Sequence, residues 1–185
     1  RPAFMIRAAL AATLGASWGI YGPAFEQMES QAREHGSEEY LHSEKYEIRH
    51  WDLNRGGTLK DYIARLNRIR RENPALQTDR GLRFHRIDND MLVCYSKSTN
   101  DLSNIILVIV NLDPRYTQSG WLELDLAALG IGAEASYQAH DLLSGARFLW
   151  RGGRNFVQLD PQHAPAHILR LRRRTRTERD FDYFL

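Results

Sequence analysis

The sequence predicts an α/β segment followed by an all-β domain, and three observations carry that reading. The first part runs helix, short apolar strand, long connection, helix, which is the rhythm of α/β units. From Asp79 onward it changes to short alternating runs separated by turn residues, the pattern of an antiparallel β-sandwich. Between the two, Asn73-Pro74 stops a clear helical stripe.

Residues Pro2 to Leu14 are apolar nearly all round, interrupted by Arg7, and Pro2 suits a first helical turn. A helix with no polar face needs cover on most sides. After Gly15, the run Trp18-Gly19-Ile20-Tyr21 is closed by Gly22-Pro23. It predicts a strand buried on both faces, of the parallel-sheet type. The connection from Pro23 to Gly57 is long for a compact domain, and such connections are usually functional or disordered. Its aromatic content argues against disorder. Thr58 is expected to cap the next helix, with Asp61 three residues on. Leu59, Tyr62, Ile63, Leu66 and Ile69 form its apolar stripe, and Lys60, Arg65, Arg68 and Arg71 lie off it.

The strands expected beyond Asp79 are Leu82–Ile87, Met91–Ser96, Ile105–Val110, Gly120–Leu126, Tyr137–Leu143, Phe148–Trp150, Phe156–Leu159 and Ala166–Leu171. The domain division is then 1–78, 79–172 and a charged tail at 173–185. Residues 79–172 are expected to fold as a unit.

Composition bounds the function. Of 185 residues, 43% are hydrophobic and 26% charged, ordinary for a globular protein. The net charge is only +2, from 25 basic and 23 acidic residues, which weakens a nucleic-acid reading. Cys94 is the only cysteine, so no internal disulfide forms, which fits a reducing, cytoplasmic setting. No apolar run reaches the ~18 residues of a membrane span, and no signal peptide is visible. The chain opens on Arg1 and reads from the start like the middle of something, so a fragment of a longer protein is expected.

The candidate site is the stretch Glu38 to Asp52. It holds the acids Glu38, Glu39, Glu44 and Glu47, the tyrosines Tyr40 and Tyr46, and Lys45, Arg49, His42, His50 and Trp51. Charge and aromatic rings in one loop suit a polar, ring-shaped ligand such as a sugar. In α/β barrels the loop after a strand's C-terminal end faces the active site. The acids look like a catalytic cluster, but residues that are solvated, or paired with Arg49 and Arg55, are the better reading. Trp51 would stack on a sugar or anchor the loop. His163 and His167 stand four apart, but Pro165 forbids the helix that would align their rings on a metal. Cys94 reads as an inert core residue. The cluster from Arg170 to Arg179 reads as a solvated tail before a phosphate or nucleic-acid site.

These residues also carry a resemblance. The segment Gly19-Ile20-Tyr21-Gly22-Pro23, with Glu26 and Glu38-Glu39-Tyr40, resembles the eighth strand and following loop of the α-amylase superfamily, glycoside hydrolase family 13. Ser43-Glu44-Lys45-Tyr46-Glu47-Ile48, Trp51-Asp52 and Leu66-Asn67-Arg68-Ile69-Arg70-Arg71-Glu72-Asn73-Pro74-Ala75-Leu76 resemble, more narrowly, the α-1,4-glucan:maltose-1-phosphate maltosyltransferases, as does Arg1-Pro2-Ala3-Phe4. The resemblance implies the C-terminal end of a (β/α)8 TIM barrel over 1–78 and a β-sandwich domain C over 79–172. It implies a retaining double displacement from maltose 1-phosphate to an α-1,4-glucan. The family's nucleophile, acid and third carboxylate all precede its counterpart of Arg1, so the catalytic residues are none of those in this chain. Lys45 and Tyr46 match the donor-site pair and are the substrate-binding candidates. No cofactor and no metal are implied. The partners implied are maltose 1-phosphate and α-1,4-glucan, without nucleic acid or membrane, and a homodimer as the intact enzyme. Two alternatives stand beside this reading: another family 13 glucanotransferase or amylase, and a non-catalytic carbohydrate-binding or structural β module.

Overall fold

The computed structural model describes residues 1–43 and 48–173. Helix α1 (Pro2–Leu14) begins with proline in its first turn and buries Ile6, Ala8, Ala9, Ala12 and Thr13. Alanine and one-turn spacing let the helix lie close on its neighbours. Thr13 donates to the Ala9 carbonyl at 2.6 Å and so accepts from the Tyr95 hydroxyl, also at 2.6 Å. Helix α3 (Lys60–Glu72) buries Ile63, Leu66 and Ile69, the expected stripe. Its start lies one residue later than the sequence suggests. Leu59 accepts the first helical bond, from the Ile63 N–H at 2.9 Å, and the Thr58 hydroxyl takes the Lys60 N–H, at 3.3 Å. Leu59 is fully buried, so packing fixes the helix entry where a polar cap was expected. Asn73 ends α3, and Pro74–Gln77 turns as a short 3-10 helix.

Two expectations about the first segment fail. The long connection does not begin as loop, because Gly22–Glu26 forms a short helix, α2. Gly22 at φ +37° and Pro23 in the first turn read as turn punctuation, yet the same pair starts a helix. Trp18–Tyr21 is not a strand. Ile20 is 36% and Tyr21 46% exposed, where burial on both faces was expected. A strand needs a ladder partner for its N–H and C=O groups, and among the described residues none runs beside this one.

The β region contains every expected strand: β1 (Arg83–Ile87), β2 (Leu92–Ser98), β3 (Ile105–Asn111), β4 (Gln118–Glu123), β5 (Ser136–Asp141), β6 (Arg147–Arg151), β7 (Arg154–Leu159) and β8 (Ala166–Arg173). They form one antiparallel eight-stranded sheet in the order β6-β5-β8-β3-β2-β1-β4-β7, so the expected two-sheet sandwich is corrected to a single curled sheet. The physical reason is β1. Its first half, Arg83 to His85, pairs with β2, and its second half, Arg86 and Ile87, pairs with β4. One strand thus turns the corner between the two halves. The edge strands β6 and β7, consecutive in sequence, approach each other across the open side. β8 extends through Arg173, one residue into the expected tail, and residues 174–185 lie outside the described residues.

Two apolar cores flank the sheet. Inside the curl, Leu107, Ile109, Leu122, Leu129, Tyr137, Leu159 and Leu169 pack together. On the outer face, Tyr95, Ile106, Val108, Val110 and Ile168 meet Ile6, Ala9 and Ala12 of α1, Leu66 and Ile69 of α3, and Leu76. β3 is buried along its whole length because it serves both cores. This explains its unbroken apolar run from Ile105 to Val110, against the strict alternation of β5 and β7. The expected separation at Asp79 is therefore crossed by a shared core.

Polar contacts reinforce the junction. Arg70 donates to the carbonyls of Ala12, Gly15 (3.1 Å) and Ala16 (2.5 Å), the unpaired end of α1. From β2, the buried Lys97 donates to the Leu14 carbonyl at 2.9 Å, with Asp79 4.0 Å away. Burial lowers the Lys97 pKa, and Asp79 opposes that shift.

Candidate functional site

Lys45 and Tyr46, with Glu44 and Glu47, lie outside the described residues. Their loop is described on either side. Leaving α2, the chain makes a tight excursion closed by a bridge between Ala32 and Tyr40, with Arg33 N–H donating to Glu39 O and Leu41 N–H to Gln31 O, each at 2.8 Å. Met28 and His42, both at positive φ, bend the chain at either end of this excursion. Tyr40 stacks on Tyr21, ring centroids 5.7 Å apart, which ties the loop to the end of the Trp18–Tyr21 segment. The returning limb is held by Gln27 Nε2 on the Asp52 carbonyl (3.0 Å) and by the Leu59 N–H on the Glu26 carbonyl (2.8 Å).

A cavity of about 390 Å³ opens between α1 and this loop. Arg7, Glu29, Glu38, Glu39 and Tyr40 line it, and Phe4 and Phe25, edge to face at 5.2 Å, contribute its apolar wall. Aromatic walls with carboxylates and one guanidinium suit a neutral, hydroxyl-rich ligand, which needs both acceptors and a ring face. The sequence singled out Glu38, Glu39 and Tyr40, and the structure brings them together here. It did not single out Arg7 or Glu29, which come from other segments and enter only through the packing of α1 on the loop. Glu39 pairs with Arg33 at 3.4 Å, where Arg49 or Arg55 was expected. Arg49 instead lies over the Trp51 ring, 4.0 Å from its centroid, and Arg55 reaches Gln27. Ile48 is 94% exposed on the limb that follows Glu47.

The remaining candidates resolve into structural groups. His163 pairs with Asp160 at 2.7 Å and His167 with Asp141 at 3.0 Å, so the two rings serve different carboxylates. Among the described residues no cluster of three metal-ligating side chains occurs. Cys94 is buried, and burial pushes its thiol up to about 12, which makes it a poor nucleophile at neutral pH. Asp141, fully buried as the last residue of β5, was not anticipated. It accepts from Ser144 Oγ (2.5 Å), His167 Nδ1 (3.0 Å) and the N–H groups of Leu143 (3.1 Å) and Ile168 (3.2 Å). Burial raises its pKa, but these donors overcome burial and the net shift is downward. Asp141 also lines a second cavity, of about 300 Å³, with Tyr62, Arg65 and His163. Burial raises the Tyr62 phenol pKa strongly, with Asp141 adding to the shift.

The fold defines the class. The chain superposes on AmyP E221Q in complex with maltotriose with a TM-score of 0.64 at 17% identity, over 90% of this chain and 34% of that one. It superposes on the α-amylase GTA of Geobacillus thermoleovorans, complexed with acarbose, with a TM-score of 0.62 at 16% identity, over 95% of this chain and 34% of that one. At such identities the likeness is one of fold: the chain has the architecture of part of an α-amylase-type protein. Sequence narrows this further. Residues 84–171 match the family model described as "GLGE, C-terminal". The chain is 49% identical over 172 residues to the α-1,4-glucan:maltose-1-phosphate maltosyltransferase of Corynebacterium glutamicum, covering 91% of this chain and 25% of that protein. It is 48% identical over 171 residues to that of Rhodospirillum rubrum, covering 92% of this chain and 25% of that protein. The chain thus spans about a quarter of the length of the curated relatives it matches.

Proposed function

We propose that this chain is the C-terminal part of a retaining maltosyltransferase that moves maltosyl units from maltose 1-phosphate to the non-reducing end of an α-1,4-glucan. One observation carries the reading: identity of 46–49% to proteins of that name over about nine-tenths of the chain. In this reading residues 1–78 are the last part of the catalytic barrel, 79–172 are domain C and 173–185 a charged tail. The nucleophile and acid lie in the remainder of the protein, and the chain by itself transfers nothing. Its contribution is binding. Lys45 donates to sugar hydroxyls and Tyr46 offers a ring face and a hydroxyl. Trp18–Tyr21 becomes a barrel strand when its neighbours are present. The protein works in the cytoplasm as a homodimer, on glycogen-like glucan, without a cofactor.

Phosphate release from maltose 1-phosphate in the presence of glycogen tests the reading on the full-length protein. Lys45→Ala should lower kcat/KM by roughly ten- to a hundredfold, the equivalent of ~1–3 kcal/mol for a lost charged hydrogen bond. Tyr46→Phe should cost less than Tyr46→Ala, and neither should shift the melting temperature. Wild-type kinetics in Lys45→Ala would remove it from the donor site.

A further inference from the structure

β6 is a border strand of the sheet, and its outer face is basic. Arg147 of β6, His140 of β5 and Arg170 of β8 are register partners and form one row across the strands. Leu149, Gln138 and Arg172 form the next row, and Arg151 and Ser136 a third. These side chains point away from the interior, because Tyr137, Ala139, Leu169 and Leu171, which alternate with them, belong to the inner core. Among the described residues Arg147, Arg170 and Arg172 form no ion pair. Arg151 pairs with Glu134 at 3.5 Å, and Asp101 shares a cavity with Arg170 and Arg172. Burial lowers the His140 pKa, and Arg147, Arg172 and Arg170 lower it further against Asp141, as a positive field does. The backbone is free on the same border. The Asp141 N–H bonds the Ala146 carbonyl at 2.8 Å, and an antiparallel ladder alternates from there. Phe148 and Trp150 therefore turn their N–H and C=O groups toward β5, and Arg147, Leu149 and Arg151 turn theirs outward. The side chains of Phe148 and Trp150 border a cavity of about 170 Å³, which Phe156 and Val157 of β7 line from the other side of the opening.

We propose that β6 is a docking edge for an acidic, extended peptide of a partner protein, which adds to the sheet as a further strand. The proposal does not rest on the reaction proposed above. A row of outward N–H and C=O groups is satisfied as a ladder only by another peptide strand, and the side-chain surfaces beside it select the sequence. Alternation brings the added strand against two different surfaces. Acidic side chains on one of its faces reach Arg147 and Arg151, with Arg170 and Arg172 beyond them. Apolar side chains on the other cover Phe148, which is 38% exposed, and the rim of the cavity. A second copy of this chain is disfavoured, because pairing two β6 edges sets Arg147 and Arg151 against like charges. A nucleic acid is disfavoured as well, because the outer rows carry no Trp, Tyr or Phe for bases to stack on. Charge on a border strand discourages unselective pairing. Here its shared sign also decides which strand is admitted.

Fluorescence anisotropy of a short labelled peptide of alternating aspartate and valine tests this on the full-length protein. The peptide should bind, and more weakly as salt is raised. Its counterpart with lysine in place of aspartate should not bind. Arg147→Glu and Arg170→Glu should each raise Kd about tenfold, the value of one charge-assisted hydrogen bond, and Arg147→Lys should retain most of the binding. Leu149→Pro is the sharper variant. The Leu149 N–H points outward, so proline there removes a bond to the added strand and none to β5. It should raise Kd about tenfold at an unchanged Tm. The aspartate–valine peptide N-methylated at alternate residues cannot complete the ladder and should not bind, which keeps the test independent of how Leu149→Pro folds. Wild-type affinity in folded Leu149→Pro or in both glutamate variants overturns the proposal, as does equal binding of the lysine or the N-methylated peptide. A single-stranded RNA of equal charge that binds as tightly also overturns it, since the face would then serve any polyanion. No binding by the wild type overturns it too. If deleting residues 174–185 then restores binding, the occupant is this chain's own tail; if it does not, the border admits no strand in the full-length protein.

Discussion

Arg70 is a single residue on which two segments depend. Its guanidinium serves three carbonyls at the end of α1, a task that no property of α3 alone announces. Replacing it with alanine leaves those carbonyls short of partners, and Arg70→Ala should destabilise by ~2 kcal/mol in urea unfolding, with the m-value unchanged. Asp141 makes a pH-dependent contribution. Burial opposes its charge, the donors around it win, and its folded pKa lies below the ordinary carboxylate value. Its stabilisation is therefore present above the unfolded value of ~3.9 and is lost as pH falls through the folded one. Asp141→Asn should cost ~1–3 kcal/mol at pH 7 and flatten the acid limb of a stability–pH profile. Residue roles of this kind were only partly legible. A strand at Tyr137–Leu143 was visible, but Asp141 gains meaning only when His167, on a strand distant in sequence, arrives beside it. At the candidate site the sequence gathered Glu38, Glu39 and Tyr40, because they lie in one loop. It could not gather Arg7 and Glu29, because their approach depends on tertiary packing.

At the scale of elements, local periodicity carried the strands well. Apolar residues at every second position are visible without a partner, and each of the eight runs became a strand. Pairing is not local, which is why one sheet was read as two. The corner at β1 depends on two different neighbours for its two halves, and nothing in Arg83 to Ile87 encodes that division. Trp18–Tyr21 makes the complementary point: an apolar run specifies a strand only when a ladder is offered to it. In the full-length protein its amides should exchange slowly with solvent, and in this chain alone quickly, which paired hydrogen-exchange measurements would show. The link after β6 tests backbone packing directly. A Cβ on Gly153 would stand 2.5 Å from the Leu124 carbonyl oxygen, while the Gly153 carbonyl accepts the Leu124 N–H at 2.8 Å. Gly153→Ala should thus lower stability by ~1–3 kcal/mol in thermal unfolding, through loss of that bond and displacement of β7.

For the molecule as a whole, the core shared by α1, α3 and the outer face of β2, β3 and β8 binds the two regions into one folding problem. Expressed without residues 1–78, the sheet would show Tyr95, Ile106, Val108 and Ile168 to water, and it should bind a hydrophobic dye and aggregate where the longer chain does not. The order of the strands has a kinetic side as well. β6 and β7 are separated by only Gly152 and Gly153, yet they occupy the two opposite borders of the sheet. Gly152, at φ +69°, is gripped through its carbonyl by the Tyr137 hydroxyl (3.0 Å) and the Asn155 amide (3.1 Å). Ordinary hairpins zip early because their partners are neighbours in sequence. Here β6 and β7 never pair: β6 pairs with its sequence neighbour β5, but β7 must find β4, with β5 and β6 between them in the chain, so the rate is set by a distant pairing. Tyr137→Phe should accordingly speed unfolding far more than it slows folding in stopped-flow measurements, because its hydroxyl accepts the Asn155 amide of β7 (3.0 Å) only when the curl closes. The shortest connection in the sheet is a clasp that shuts last.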